Sequence, residues 1–247
     1  MSYSDLEYEL FSRQFILRNF NEENILKLNN AKIVIVGLGG IACPLAQYLV
    51  SSGVKNLTFF DGDIIEKTNL GRQILYNLED VGKYKTLVAK KQLLKTNPYC
   101  NITAYSQYLD HKNLNLLLDA DIIIDATDDW YTSKIINKFC LQNSLIYIFS
   151  SAINHNIQIC VFSNKYNHIC LNCLFPNHED VDLARCETVG ISSICAGIAG
   201  LITAQKTINT LLNTKDENNI LTLINTSDFT ISNIIIKNNV NCVLNNS

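Results

Sequence analysis

The sequence predicts an α/β fold: a doubly wound, mainly parallel sheet with a C-terminal antiparallel extension. Three observations predict it. A β-branched run over residues 31–36 ends in glycines, which is typical of a buried parallel strand that turns into a helix. Strand-like runs then alternate with helix-like segments as far as residue 150. Strand-like runs at 157–162, 220–224 and 230–236 suit an antiparallel extension.

The elements follow in order along the chain. Apolar residues at helical spacing over 5–29 predict an N-terminal helical segment. Further strands are predicted at 56–61, 102–105, 121–125 and 145–149, and helices at 41–52, 83–96, 111–118, 131–142 and 191–212. The helix over 41–52 stops at Gly53, and the helix over 83–96 ends before Pro98. The first strand, glycine loop, helix and second strand fill about 30 residues, the size of a dinucleotide-type βαβ unit, so the fold is Rossmann-like.

We expect a single domain over residues 1–247. The 247 residues are 47% apolar and 17% charged, which is enough for one sizeable core. An N-terminal helical segment (8–30) precedes a nucleotide-binding core (31–150) and a C-terminal part (151–247). Within the last part, residues 164–190 are polar and lack periodicity, and long loops of this kind are often functional.

Composition and charge exclude several classes of function. A net charge of −3 gives no electrostatic case for nucleic-acid binding. No apolar run approaches the ~18 residues of a membrane span, and the N-terminus lacks a signal pattern. We therefore expect a soluble cytoplasmic protein without a membrane partner. In that setting the nine cysteines are buried thiols, metal ligands or reactive groups rather than a disulfide framework.

A glycine loop and an aspartate point to a nucleotide. Gly37, Gly39 and Gly40 let backbone N–H groups approach a phosphate at a helix N-terminus, although a tight turn without a ligand has the same pattern. Asp61 follows 21 residues after Gly40, at the end of the second strand. An acidic side chain there reaches ribose hydroxyls; the alternative is a solvated turn residue.

Two cations and a second acidic motif favour ATP over a nicotinamide cofactor. Arg72 and Lys85 suit the β- and γ-phosphates, whereas a nicotinamide enzyme has no triphosphate to hold there. Each cation alone is more often a surface residue. Asp125 and Asp128 follow an apolar strand at the edge where α/β sheets bind ligands. Asp128 suits a Mg²⁺ ion that also binds phosphate oxygens. Asp125 could equally well be a helix N-cap or turn residue as a ligand-binding residue.

Cysteines in the C-terminal part raise the question of a metal. Cys170 and Cys173 form one half of a tetrahedral zinc site. Near the C-terminus only Cys242 is available, so an intact Cys₄ site is excluded. His168 and His178 could substitute, but two reduced loop thiols explain the pair equally well.

One further cysteine, Cys186, lies in the polar loop beside Arg185. The adjacent guanidinium could lower the pKa of the thiol and favour the thiolate. An ordinary, partly buried thiol is the alternative.

The ordered series of motifs resembles the MoeB/ThiF family, the bacterial relatives of ubiquitin-activating enzymes. It comprises Ser-Arg-Gln at 12–14, Val-Gly-Leu-Gly-Gly at 36–40, Asp61, Thr-Asn-Leu-Gly-Arg-Gln at 68–73, Lys85, Asn-Pro at 97–98, Asp-Ala-Thr-Asp at 125–128, the cysteines at 170 and 173, and Cys-Glu-Thr-Val-Gly at 186–190. The resemblance covers about residues 8–213, and the order of the motifs is more specific than any one of them.

The resemblance implies an activity. A homodimer of this family binds ATP and Mg²⁺ and a ubiquitin-like sulfur-carrier protein (MoaD- or ThiS-like) that ends in Gly-Gly. The carrier's carboxylate attacks the α-phosphate, which releases pyrophosphate and leaves an acyl-adenylate for molybdopterin or thiamine-thiazole biosynthesis. A sulfurtransferase or cysteine desulfurase would supply the sulfur. The segment 151–247 would bind the carrier and form the dimer.

The resemblance also implies roles for single residues. Gly40 would lie at the phosphates and Asp61 at the ribose. Asn69, Arg72 and Lys85 would bind the triphosphate, and Asp128 would bind Mg²⁺. Arg13 would reach into the neighbouring subunit's ATP site, and Cys186 matches a cysteine that can form a covalent bond to the carrier. Three positions depart from the family pattern. Gly71 replaces a larger side chain, Asp129 adds a negative charge, and the last Cys-x-x-Cys is reduced to Cys242.

Other functions stay open at this stage. An ATP-dependent tRNA-modifying dehydratase of the same superfamily shares the core motifs, but the cysteine motifs and the absence of a basic face argue against it. A dehydrogenase leaves Arg72, Lys85 and Asp128 unexplained. A non-catalytic scaffold that holds a carrier remains compatible with the partial zinc motif and with Asp129.

Overall fold

The computed structural model describes residues 5–163, 169–176, 190–239 and 242. Its strands are β1 (Lys32–Val36), β2 (Asn56–Phe60), β3 (Asn101–Tyr105), β4 (Ile122–Asp125), β5 (Ile146–Ile153), β6 (Asn156–Phe162), β7 (Ile220–Asn225) and β8 (Thr230–Ile235). Its α-helices are α1 (Asp5–Phe11), α2 (Glu22–Asn30), α3 (Ala42–Ser51), α4 (Lys85–Thr96), α5 (Trp130–Gln142), α6 (Leu171–Leu174) and α7 (Ser193–Leu212). Short 3₁₀ helices cover Lys67–Asn69, Leu78–Asp80 and Leu114–Leu117.

The strands form one eight-stranded sheet in the order β3-β2-β1-β4-β5-β6-β7-β8. Neighbours from β3 to β5 are parallel, and those from β5 to β8 are antiparallel. The predicted fold class is therefore confirmed. Because the chain runs outward from β1 in both directions, a topological switch point lies between β1 and β4, where α/β sheets bind ligands.

The central strands supply two cores, one on each face of the sheet. Successive side chains of a strand point to opposite faces. Ile33, Ile35, Ile122 and Ile124 belong to a core with α2, α3, α4 and α7, and Val34, Val36 and Ile123 to a core with α5 and α6. Burial on both faces explains why these strands appear in the sequence as continuous β-branched runs.

Helix α7 packs unusually close to the start of α3. A Cβ at Gly200 would lie only 2.3 Å from the carbonyl oxygen of Ile41 and 2.6 Å from Pro44. Glycine at this position therefore lets α7 approach the backbone of α3 directly. This contact fixes the N-terminal end of α3, where the glycine loop lies.

Several elements differ from the sequence prediction. The N-terminal segment is two helices, α1 and α2, rather than one stretch, and the helix expected over 111–118 is only the 3₁₀ turn Leu114–Leu117. Strand β5 extends past the expected end at 149, because its second half pairs with β6, for example Ser150 with Ile159. Helix α6 lies inside the stretch expected to be irregular. Among the described residues, no helix combines the length and the apolar character that a membrane span needs.

Candidate active site

A cavity of about 640 Å³ opens at the carboxyl ends of β1, β2 and β4. Eight of the residues singled out from the sequence line it: Gly37, Gly39, Gly40, Asp61, Asn69, Arg72, Lys85 and Asp128. They come from separate loops, which the parallel strands bring to one edge of the sheet. The volume is within the usual range for small-molecule sites.

The glycine loop after β1 begins at a position where the backbone requires glycine. Gly37 has a φ of +83°, and a Cβ there would lie 2.9 Å from the carbonyl oxygen of Ala126. The loop leads directly into α3, whose N-cap residue Ile41 has no side-chain hydrogen bond to the first turn, and that turn contains no acidic residue. The first N–H groups of a helix lack intrahelical partners, so this end of α3 favours an anion.

Asp61 is fixed by two backbone N–H groups. Its Oδ2 accepts a hydrogen bond from Leu38 at 2.7 Å, and its Oδ1 accepts one from Asp63 at 2.7 Å. The side chain is buried, and burial raises the pKa of this carboxyl although the nearby charge of Lys85 acts to lower it. The carboxylate is thus held rigidly between the glycine loop and the end of β2.

Lys85 at the start of α4 is a buried cation between two carboxylates. Its Nζ lies 2.6 Å from Oδ2 of Asp63 and 4.0 Å from Oδ2 of Asp61. Tyr108 donates its hydroxyl proton to the other oxygen of Asp63. Burial acts to raise the pKa of Asp63, but the hydrogen bonds from Lys85 and Tyr108 outweigh it and hold that pKa below its usual value. A phosphate entering the cavity would compete with Asp63 for the ammonium group.

The turn after β2 positions Asn69 and Arg72. Asn69 accepts a hydrogen bond from the N–H of Glu66 at 3.0 Å and so closes a capping box around the 3₁₀ helix Lys67–Asn69. Arg72 donates to the carbonyl oxygen of Thr68 at 3.2 Å, and a Cβ at Gly40 would lie 3.3 Å from its Cγ. The aliphatic part of Arg72 therefore lies over the glycine loop.

The three aspartates at the carboxyl end of β4 have different roles. Asp125 is fully buried, accepts hydrogen bonds from the Thr127 hydroxyl at 2.7 Å and the Tyr147 hydroxyl at 2.8 Å, and is a structural residue. Asp128 lines the cavity. Asp129 also lines the cavity, but its carboxylate caps α5 by accepting from the N–H of Thr132 at 2.9 Å. The extra charge at position 129 is therefore engaged by a helix N-terminus.

A cluster of three thiols joins α6 to the chain after β8. The Sγ atoms of Cys170, Cys173 and Cys242 all lie within 4.8 Å of one another. Cys170 Sγ is 3.9 Å from Cys173 Sγ and 3.6 Å from Cys242 Sγ. These separations are far longer than a disulfide bond of about 2.05 Å and match the edge of about 3.8 Å in a tetrahedron with Zn–S bonds of about 2.3 Å. The hydrogen bond from Cys170 holds the pKa of Cys173 well below its usual value.

A sequence model described as the ThiF family matches residues 11–244. This chain belongs to the ThiF family. The family match spans the glycine loop, the Lys85 network and the thiol cluster.

Individual relatives agree with the family assignment. A probable molybdopterin-synthase adenylyltransferase from Gracilaria tenuistipitata var. liui is 32% identical over 214 residues, which are 85% of this chain and 59% of that protein. The sulfur carrier protein ThiS adenylyltransferase of Escherichia coli (strain K12) is 29% identical over 209 residues, 84% of this chain and 83% of that protein. A crystal structure of E. coli MccB with MccA-N7isoASN superposes with a TM-score of 0.83 at 25% identity, over 95% of this chain and 74% of that chain. The chain thus spans about three-fifths of the length of the first of these relatives.

The structure does not bring every expected site residue of this ThiF-family chain to the cavity. Arg13 is exposed in the turn between α1 and α2 and does not line the cavity. Cys186 lies outside the described residues, as do His168 and His178.

Asp63, Gln73 and Tyr108 are among the polar cavity residues that the sequence did not single out. Asp63 lies two residues after Asp61, and Gln73 directly follows Arg72 in the motif at 68–73; that adjacency was the available signal. Gln73 is buried, and its side-chain oxygen has no hydrogen-bond partner within the part of the chain that the structure describes. Tyr108 belongs to the loop after β3 and had no sequence signal.

Proposed function

We propose that this chain is an ATP-dependent adenylyltransferase that activates the C-terminal carboxylate of a ubiquitin-like sulfur-carrier protein ending in Gly-Gly. The observation that carries the proposal is the convergence of Asp61, Lys85, Arg72 and Asp128 on one cavity beside the glycine loop. That set supplies a ribose acceptor, two cations and a metal-binding carboxylate, which together suit a nucleoside triphosphate. The names of the molybdopterin-synthase and ThiS adenylyltransferase relatives support this type of substrate.

The residues would act by position and charge. Asp61 would accept hydrogen bonds from the ribose hydroxyls, and the glycine loop with the start of α3 would bind phosphate oxygens. Lys85 and Arg72 would neutralise negative charge as the carrier's carboxylate oxygen bonds to the α-phosphorus. The bond from that phosphorus to its bridging oxygen breaks, and pyrophosphate leaves with the electron pair. Preorganised charges of this kind stabilise the transition state without covalent work by the protein.

Mg²⁺ fits the donor set at Asp128. Mg²⁺ is usually held by one or two carboxylates together with phosphate oxygens and water. Asp128 offers a carboxylate to the cavity, whereas Asp125 is occupied by its hydrogen bonds and Asp129 by the cap of α5. When bound at Asp128, the ion would supply positive charge that stabilises the negative charge of the phosphates.

An apolar wall of the cavity suits the tail of the carrier. Trp130 and Phe149 line the cavity, and Phe175 packs edge-to-face on both, with centroid distances of 5.4 and 6.0 Å. Ala152 and Ile153 continue this wall beyond the end of the parallel sheet. A Gly-Gly tail has no side chains, so it could pass along this wall and place its carboxylate beside the α-phosphate.

The thiol cluster would hold zinc through three of four tetrahedral positions. Cys170, Cys173 and Cys242 would tie α6 to the C-terminal segment, and Phe175 at the end of α6 forms part of the apolar wall. The metal would then be structural, stabilising the wall rather than reacting.

We expect elemental mass spectrometry to find about one zinc per chain. The zinc should be lost in Cys242→Ser and retained in Cys100→Ser, whose thiol lies outside the cluster. Metal-free protein as purified under zinc-replete conditions would contradict this part.

The adenylated carrier would receive its sulfur from another protein. A separate sulfurtransferase or cysteine desulfurase would convert the adenylated carrier to its thiocarboxylate. Relatives named for molybdopterin synthase and for ThiS leave two carriers to compare, for molybdopterin and for the thiazole of thiamine.

The decisive experiment is pyrophosphate–ATP exchange with and without each candidate carrier. Exchange that depends on one carrier identifies both the reaction and the pathway. Lys85→Met should abolish exchange because it removes a buried phosphate-binding cation, whereas Lys91→Met on the exposed side of the same helix should leave it unchanged. Folded protein that binds ATP but shows no exchange with either carrier would refute the proposal, and tRNA would then be the substrate to test.

A further inference from the structure

Tyr108 is an exposed aromatic ring held in a fixed position at the mouth of the cavity. Its side chain is 67% exposed, and its hydroxyl is bonded to Asp63. The ring lies directly on the backbone of Gly62, where a Cβ would be 2.7 Å from two of its carbons. One face of the ring therefore covers the glycine while the rest stays open to the cavity that Tyr108 lines.

The hydrogen bond from Tyr108 is a strong one. Its acceptor is an ionised carboxylate, and this interaction raises the pKa of Tyr108 to about 12. The hydroxyl therefore stays protonated and keeps donating at neutral pH. Because the ring is already fixed at its hydroxyl and at one face, it loses little side-chain entropy when a flat ligand stacks on it. Contact with such a ligand therefore contributes favourably to the free energy of binding.

The position of Tyr108 follows from the order of the strands. The glycine loop for phosphates follows β1, Asp61 for the ribose follows β2, and Tyr108 follows β3, the next strand toward the edge of the sheet. A nucleotide laid across these three loops would place its base beyond the ribose, at the loop after β3. Leu109 and Asp110 of that loop also line the cavity.

We propose that the ring of Tyr108 is the stacking surface for the adenine base, and that Asp63 links this surface to Lys85. The proposal rests on the proposed function, because it takes ATP as the substrate. Asp63 accepts from Tyr108 with one oxygen and from Lys85 with the other. Asp63 thus positions both the ring of Tyr108, on which the base would stack, and Lys85, which would bind phosphate. Stacking uses the flat face that all bases share, so Tyr108 contributes affinity rather than discrimination between purines.

The test compares ATP with ribose 5-triphosphate, which lacks the base, by isothermal titration calorimetry. Tyr108→Ala should weaken ATP binding by about 5- to 150-fold, the range that stacking on one base provides, and leave the binding of ribose 5-triphosphate unchanged. Tyr108→Phe keeps the ring and should retain most of the ATP affinity. Tyr48→Ala, which removes a tyrosine on α3 that is also more than half exposed but does not line the cavity, is the matched control.

Each outcome decides the matter. If Tyr108→Ala loses equal affinity for ATP and for ribose 5-triphosphate, Tyr108 acts only through Asp63 and the phosphates. If it loses affinity for neither ligand, the ring does not contact the base. Either result overturns the proposal. Tyr108→Leu, which keeps apolar bulk over Gly62, gives the same readout if Tyr108→Ala does not fold. A base-dependent loss without carrier-dependent pyrophosphate exchange would sustain the stacking surface while refuting the adenylyltransferase.

Discussion

At the scale of single residues, buried charges in this protein are held by partners that compensate them. Lys206 in α7 and Glu217 before β7 are both buried and form an ion pair, and Asn209 donates to the second oxygen of Glu217 at 3.0 Å. Removing one partner of a buried pair leaves an uncompensated charge, which is more costly than the net contribution of the pair. The same principle applies to Lys85, where a phosphate would replace Asp63 as the partner.

Glu217→Gln should therefore destabilise the protein by about 3–5 kcal/mol at neutral pH, because Lys206 keeps its charge without a counter-ion. Burial acts to raise the pKa of Glu217, but the hydrogen bond and charge of Lys206 outweigh it and lower that pKa. A lowered native pKa stabilises the fold above the unfolded value of about 4.3, and this stability is lost as pH falls toward the native pKa. In urea unfolding, the gap between wild type and Glu217→Gln should thus narrow below about pH 4.3.

The control for this prediction is Asp216→Asn, which changes the same charge at an exposed neighbour and should shift the free energy of unfolding by no more than about 0.5 kcal/mol. A gap between wild type and Glu217→Gln that stays constant from pH 7 to pH 3 would show that Glu217 is not the titrating group.

At this scale the sequence predicted the residues that belong to recognisable local motifs. Gly40, Asp61, Arg72, Lys85 and Asp128 were predicted from their motifs, and the structure brings them together in one cavity. The hydrogen bond from Tyr108 to Asp63 could not be predicted, because Tyr108 comes from a different strand end 45 residues away. Such a contact depends on the order of strands in the sheet, which no local pattern encodes.

At the scale of secondary structure, two glycines of α7 differ in whether the packing leaves room for a side chain. Small residues are concentrated at 196–200, which is typical of a helix that packs closely against a neighbour. A Cβ at Gly200 would clash with the backbone of α3, whereas a Cβ at Gly197 would meet no atom of the described residues within 4 Å. Only one of the two glycines is therefore required for packing.

Gly200→Ala should lower the free energy of unfolding by about 1–3 kcal/mol, because α3 or α7 must shift to accommodate the methyl group. Gly197→Ala should raise it by about 0.4–1 kcal/mol, since alanine restricts the unfolded chain and meets open space. Chemical denaturation of the two variants beside the wild type measures both. Opposite signs are the expected result; equal effects would mean that the approach of α7 to α3 is not set by Gly200.

The elements missed from the sequence are those that depend on tertiary contacts. Helix α6 has only four residues, and its first N–H donates to the side chain of Asn137 at 2.8 Å. The second half of β5 exists because β6 turns back alongside it. By contrast, the central strands were predicted because burial on both faces leaves a continuous apolar run.

At the scale of the whole molecule, the cavity in one chain cannot include its own Arg13. The neighbouring Gln14 donates to the carbonyl oxygen of Ser51 at 2.6 Å, at the C-terminal end of α3. The glycine loop lies at the opposite end of that helix, and ten residues of α-helix span about 15 Å. An arginine that acts on ATP from this place would have to act in a neighbouring subunit, which accords with the expected homodimer.

Mixing two inactive variants tests this arrangement. Arg13→Ala and Lys85→Met should each lose carrier-dependent pyrophosphate exchange. After subunit exchange in a 1:1 mixture, half of the dimers would be mixed, and each mixed dimer would contain one site with both an intact Lys85 and its partner's intact arginine. Activity should therefore return to about a quarter of the wild-type value. If Arg13 instead served its own chain, every site in a mixed dimer would lack one of the two cations, and the mixture would stay inactive.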